Sequence, residues 1–156
     1  VYYRETRYGR IAVHQDQDQF TLFEDGVPVF SSQNLSLAEE TIHYPLSQLD
    51  AIQNVLLISA EGGVMSELQK YPIQSVDYVE LDPAVAAVQF RVNMIKKIKG
   101  LMVIHQDGRA YLSQSNKTYD AIIVNLPEPN TFQVNHFYTD GFFEIRKSSD
   151  PVRDSC

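Results

Sequence analysis

The chain has little cysteine: one residue, Cys156, in 156. That excludes an internal disulfide framework and a cysteine-based metal site. It has no apolar run near the roughly 18 residues that a membrane helix needs. No basic segment leads into an apolar stretch, so no secretory leader is expected and the setting is read as cytoplasmic. Basic residues are the minority, 13 Lys and Arg against 20 Asp and Glu, for a formal net charge of −7. Such a chain is poorly matched to phosphate backbones, so nucleic acid is not expected as a partner. A cationic substrate suits it better. His14, His43, His105 and His136 show no metal-ligand spacing, so no metal is expected. No nucleophile elbow occurs among the many serines. What is present is 44% hydrophobic residues spread evenly along the chain. That is too apolar for disorder and enough for one globular domain with a small appendage.

Residues 1–35 read as a β region. Asp25-Gly26, between Thr21–Glu24 and Val27–Phe30, is a hairpin signal, because Gly tolerates the positive φ of a two-residue turn. A second turn is expected in Gln15–Asp18. Three such strands are too few for an independent core and should pack on the remainder of the chain or on a partner chain. Ser36–Glu39 has capping-box spacing and should open a helix running towards Leu49, with Pro45 bending or shortening it.

From Asn54 the pattern changes. Val55–Ile58, Val76–Val79, Leu101–Ile104 and Ala121–Val124 are short, mostly apolar runs. Helical patterns lie between them, over Met65–Tyr71, Ala84–Ile98 and Arg109–Gln114. Asp82-Pro83 supplies an N-cap and an N1 proline for the middle one. Buried strands alternating with helices predict an α/β fold with a parallel, Rossmann-like sheet over residues 36–147. A last helix is expected over Tyr138–Lys147, and 148–156 is a polar tail. Only four strands are visible, so the sheet reads as truncated at its C-terminus, its edge favouring self-association.

Open α/β sheets bind ligands beyond the carboxyl ends of their strands. After the first run, Glu61-Gly62-Gly63 forms a small-residue turn into a helix, a ligand approach or simply a turn. After the second, Glu80 can accept both hydroxyls of a ribose, whereas Asp82 reads as a helix cap. After the third, Asp107-Gly108 offers either a carboxylate for the exocyclic amine of a base or another cap. After the fourth, the stiff loop Asn125-Leu126-Pro127-Glu128-Pro129 holds Asn125 and Glu128 in place. A nucleoside with an amino-substituted base fits all four positions. The absence of a full dinucleotide glycine loop favours S-adenosyl chemistry over NAD.

These motifs, in this order, resemble the spermidine/spermine synthase family, the polyamine aminopropyltransferases. Tyr8–Ile11, Leu22–Gly26, Glu39–Leu46, Tyr78–Pro83, Gln106–Gly108 and Tyr119–Pro129 carry the resemblance. The wording of Leu22–Phe30 and Asn130–Phe143 is most similar to a bacterial branch fused to membrane segments, as a fragment of a longer protein would be. The resemblance implies a small N-terminal β domain before a methyltransferase-type domain. It implies decarboxylated S-adenosylmethionine as co-substrate, a polyamine such as putrescine as acceptor, methylthioadenosine as product, no metal, and a homodimer or larger assembly.

By position, Glu80 would hold the ribose, with Asp107 and Gly108 at the adenine, Glu61 near the aminopropyl end and Gly62 beside it in the nucleoside-binding turn. Glu39 and Glu128 would bind the amine. Asn125 and Glu128 occupy the catalytic loop, with Asn125 where the family has an Asp. A neutral Asn cannot act as a carboxylate base. Leu37 replaces a substrate-lining Tyr, and Gly9 stands where a ligand-contacting Gln is usual. The nucleoside half is retained and the polyamine half is eroded. Two alternatives stand beside this reading: an S-adenosylmethionine-dependent methyltransferase-like enzyme, or a non-catalytic domain for nucleoside binding or assembly.

Overall fold

A computed structural model describes residues 2–125. Four antiparallel strands come first: β1 (Tyr2–Thr6), β2 (Gly9–Asp16), β3 (Gln19–Glu24) and β4 (Val27–Ser31), in that spatial order. Both expected hairpin turns form. Asp25 and Gly26 have φ of 49° and 85°, and Gln17 has φ of 52°. Those values suit the right-handed strand twist of a tight hairpin. The apolar pattern suggests three strands. β1 is the addition, and the reason is visible in its burial: three of its five residues are exposed, so it carries no apolar alternation and is held by backbone pairing to β2.

Helix α1 (Leu35–Leu46) comes next. Its N-cap is Asn34, without a side-chain capping bond, not Ser36. The capping-box spacing is therefore not used as a cap. The helix ends one residue after Pro45, short of Leu49, since proline cannot continue the hydrogen-bond ladder.

The second sheet is parallel: β5 (Asn54–Ile58), β6 (Ser75–Val79), β7 (Leu101–Ile104) and β8 (Ala121–Val124), ordered β7-β6-β5-β8. The apolar runs predict these strands to within a residue. Between them lie α2 (Val64–Leu68), α3 (Pro83–Arg91) and α4 (Gly108–Gln114). Helix α3 stops well before Ile98 because Asn93 turns the chain with φ of 55°. Helix α2 is also shorter than its pattern suggests. The predicted helix over Tyr138–Lys147 lies outside the described residues.

One face of the parallel sheet, with Val55, Leu57, Val76 and Tyr78, is covered by Ala38, Ile42 and Leu46 of α1 and by α2. Leu56, Ile58 and Val79 point the other way and meet Leu112 of α4 and Tyr119. The two sheets join through α3. Ile11, Val13, Leu22 and Phe30 pack on Ala84, Val85 and Val88. The first sheet thus gains the apolar backing that it could not supply alone. The strand order reverses between β5 and β8, which sets a switch point at their carboxyl ends.

Candidate nucleoside site

The residues at that edge are held by bonds to one another. Ser59, just past β5, has φ of 58° and donates its hydroxyl to Glu80 Oε2 at 3.1 Å. A non-glycine residue in that conformation is strained, and such strain persists where surrounding contacts require it. Glu80 follows β6, and its backbone N–H donates to Ile104 O of β7. Its side chain is only 8% exposed. Burial first, then the charge of Glu24, push its carboxyl up to about 7, against the donors Ser59 and Tyr78 and the backbone of Asp82.

Tyr78 Oη lies 2.9 Å from Gln89 Oε1 and 3.2 Å from Glu80 Oε2. A hydroxyl has one proton, and the shorter contact is to Gln89. Tyr78 Oη thus bridges the two acceptors, Gln89 and Glu80. Gln89, fully buried on α3, in turn donates to Ala60 O at 2.8 Å. Glu80 is thereby tied to the backbone of the glycine turn.

In that turn, Glu61 is buried and accepts from Asn34 Nδ2 at 3.0 Å. Burial holds its carboxyl above the usual range, opposed by Asn34 and by the backbone of Ser31. Gly62 is required by packing. A Cβ there would sit 2.5 Å from Ser31 O and 2.8 Å from Ser32 Cα. The close approach is to the end of β4.

Asp82 acts as the cap the pattern suggests, accepting from Ala84 N–H at 2.9 Å, and it also accepts from Thr6 Oγ1 at 2.6 Å. Asp107 caps α4 through Ala110 N–H at 2.9 Å, with buried Gly108 beside it. His105 places Nδ1 3.4 Å from Glu80 O. Asn125 follows β8, donates its N–H to Ile58 O at 3.0 Å and has a buried Nδ2 without a hydrogen-bond partner among the described residues.

The structure therefore ties Ser59 and Glu80 into one network that reaches Ala60 O, next to Glu61, with Asp107 and Asn125 following neighbouring strands. Glu39 is exposed on α1, and its charge acts on Lys70. Glu128 lies outside the described residues. Sequence reasoning misses Ser59, Tyr78, Gln89 and Glu24. Glu24 and Gln89 each leave a trace, a polar residue interrupting an apolar face. Among the described residues no group of three or more His, Cys, Asp or Glu could hold a metal ion. No helix among them is long and apolar enough to cross a membrane.

The profile of the spermine/spermidine synthase domain matches residues 34–149. The chain belongs to the spermine/spermidine synthase family. This family member is 30% identical over 155 residues to a polyamine aminopropyltransferase of Oceanobacillus iheyensis, covering 93% of this chain and 30% of that protein. It is 26% identical over 157 residues to polyamine aminopropyltransferase 2 of Aquifex aeolicus, covering 95% of this chain and 32% of the relative. It thus spans about a third of the length of these relatives. Its fold is that of solved spermidine synthases. One, in complex with the transition-state analogue AdoDATO, superposes with a TM-score of 0.84 at 20% identity, over 96% of this chain and 54% of that one. The enzyme from Thermotoga maritima gives 0.81 at 19% identity, over 96% and 53%.

Proposed function

We propose that this chain binds decarboxylated S-adenosylmethionine and serves the transfer of its aminopropyl group to a polyamine such as putrescine. The observation that carries this reading is Glu80: a buried carboxyl at the carboxyl end of the strand beside β5, in a chain of this family. Two ribose hydroxyls would add donors to those from Ser59 and Tyr78 and offset the burial of the ionised carboxyl. Asp107 and Gly108 take the adenine. A carboxylate has about four acceptor positions, so capping α4 leaves capacity for an exocyclic amine. Glu61 and Gly62 flank the aminopropyl end. Glu39 and Glu128 bind the acceptor amine.

In the transfer, the nitrogen lone pair attacks the methylene carbon beside the sulfonium. The C–S bond breaks, its electron pair returns to sulfur, and neutral methylthioadenosine leaves. The nitrogen loses one proton. Asn125 can orient the amine through its amide but cannot take that proton, which goes to water, or the amine enters already neutral.

Calorimetric titration of the native protein with methylthioadenosine, decarboxylated S-adenosylmethionine and S-adenosylmethionine tests the reading. Tightest binding of the decarboxylated nucleoside supports it. Preference for S-adenosylmethionine would indicate methyl transfer instead. No binding of any of the three would leave a non-catalytic assembly domain as the better account.

A further inference from the structure

Along β3, Leu22 is fully buried opposite Val13, itself 2% exposed. Glu24 comes two residues later, opposite Ile11, which is 1% exposed. Glu24 therefore lies on the face of the first sheet that packs against α3, at a register position that calls for an apolar side chain. Among the described residues no donor or cation reaches its carboxylate. Arg10 pairs with Asp25 instead, Nε to Oδ1 at 3.7 Å. The charged groups facing Glu24 are all acidic: Asp25 in the turn, Asp82 at the head of α3 and Glu80 beyond β6. Burial first, then Asp82 and Asp25, hold its carboxyl above the usual range.

A half-buried carboxylate without a donor, among like charges, costs stability. A cation placed there would recover it. Both oxygens of Asp82 are already bonded, to Ala84 N–H and Thr6 Oγ1. Glu80 Oε2 is engaged by Ser59 and Tyr78. Glu24 is left as the uncommitted negative group at this corner of the site.

We propose that Glu24 is a specificity-determining residue, which with Glu80 selects a nucleoside bearing a sulfonium over a neutral thioether nucleoside of the same shape. The inference rests on the nucleoside reading above and goes beyond it. Cleavage of the C–S bond removes the positive charge, so the same residue that favours the donor gives the product nothing to hold it. Product release is thereby built into the charge of the site.

The test is calorimetry at about pH 8 and low salt on the native protein, Glu24→Gln and Glu24→Leu. Each is titrated with decarboxylated S-adenosylmethionine and with methylthioadenosine. The variants should lose roughly tenfold in affinity for the sulfonium and less than about twofold for the thioether. The native preference for the sulfonium should weaken as salt is added. Both variants should melt no lower than the native protein, because an unpaired carboxylate has been removed from an apolar face. Equal losses for both nucleosides, or no loss for either, would overturn the role of Glu24 while leaving the nucleoside reading intact. Failure of both nucleosides to bind the native protein would overturn that reading itself, and this inference with it.

Discussion

At the scale of single residues, the charge state of Glu80 couples stability to the proposed nucleoside binding. Its carboxyl titrates at about 7 in the fold, above its ordinary value of 4.5. A raised pKa means that folding favours the protonated form. Glu80 therefore contributes fully below about pH 4.5 and loses that contribution as pH rises through about 7. Glu80→Gln should raise the melting temperature at pH 8, by an amount equivalent to at most about 3 kcal/mol, and flatten the slope between pH 5 and 8. A variant that melts lower than the native protein at pH 8 would contradict this. Ribose hydroxyls favour the ionised form, so nucleoside affinity should rise with pH through about 7 and protons should be released on binding. Calorimetry in two buffers of different ionisation enthalpy reads that release directly. The same variant should bind the nucleoside roughly ten- to hundredfold more weakly, as for loss of a hydrogen bond to a charged group. Asn125 is the complementary case, a neutral side chain with a buried amide nitrogen lacking a partner among the described residues. Asn125→Asp should increase the rate of the proposed aminopropyl transfer to putrescine by roughly 100-fold, the lower end of the range for a positioned base. An unchanged rate would show that amine deprotonation does not limit turnover.

At the scale of elements, the glycine turn is set by its neighbours. Gly62 packs on the backbone of Ser31 and Ser32, which cannot move aside as a flexible side chain would. Gly62→Ala should cost roughly 1–3 kcal/mol in urea unfolding, in the manner of other overpacked sites. It should also weaken nucleoside binding, because the displaced turn carries Glu61 and lies next to Ser59. A variant of native stability would show that β4 gives way easily. Helix starts differ in how legible they are. Asp82-Pro83 and Asp107-Gly108 each place a capping carboxylate where the sequence shows it, and both carboxylates cap. Asn34 makes no side-chain cap; its Nδ2 donates to Glu61 of the glycine turn instead.

At the scale of the whole molecule, the two sheets share one support. Leu22 is fully buried among Ile11, Val13 and Phe30 of its own sheet and Ala84, Val85 and Val88 of α3. Leu22→Ala should cost about 2–5 kcal/mol, as for other leucines cut back in well-packed cores. Unfolding should remain a single transition with coincident curves for the β signal and for the helices. Two separated transitions would mean that the first sheet stands without α3. A second buried network, in which Lys117, Tyr111 and Tyr119 donate to Asp77, ties the segment before β8 to β6. Burial alone would raise the Asp77 carboxyl, but these donors outweigh it and hold it below the usual range. Its contribution is present above its ordinary value of 3.8 and falls away as the medium is made more acid.

The amino-acid order determined the elements whose signals are local. Four apolar runs became the parallel strands, Asp25-Gly26 became a hairpin turn, and two aspartates became caps. Each depends on a few neighbouring residues, so reading along the chain recovers it. The order also placed Glu80 and Asp107 after successive strands, and a parallel sheet carries such positions to one edge. The tertiary structure alone decided what surrounds Glu80. Ser59, Tyr78 and Gln89 come from the turn after β5, from β6 and from α3, and Glu24 joins them only because the first sheet docks on α3 through Leu22 and Ile11. It alone decided that Asn34 holds Glu61, and that an exposed β1 pairs with β2. The physical reason is the same throughout. Backbone conformation follows from short-range sterics and periodicity, whereas the charge state of a buried carboxyl depends on distant chain segments that packing brings against it.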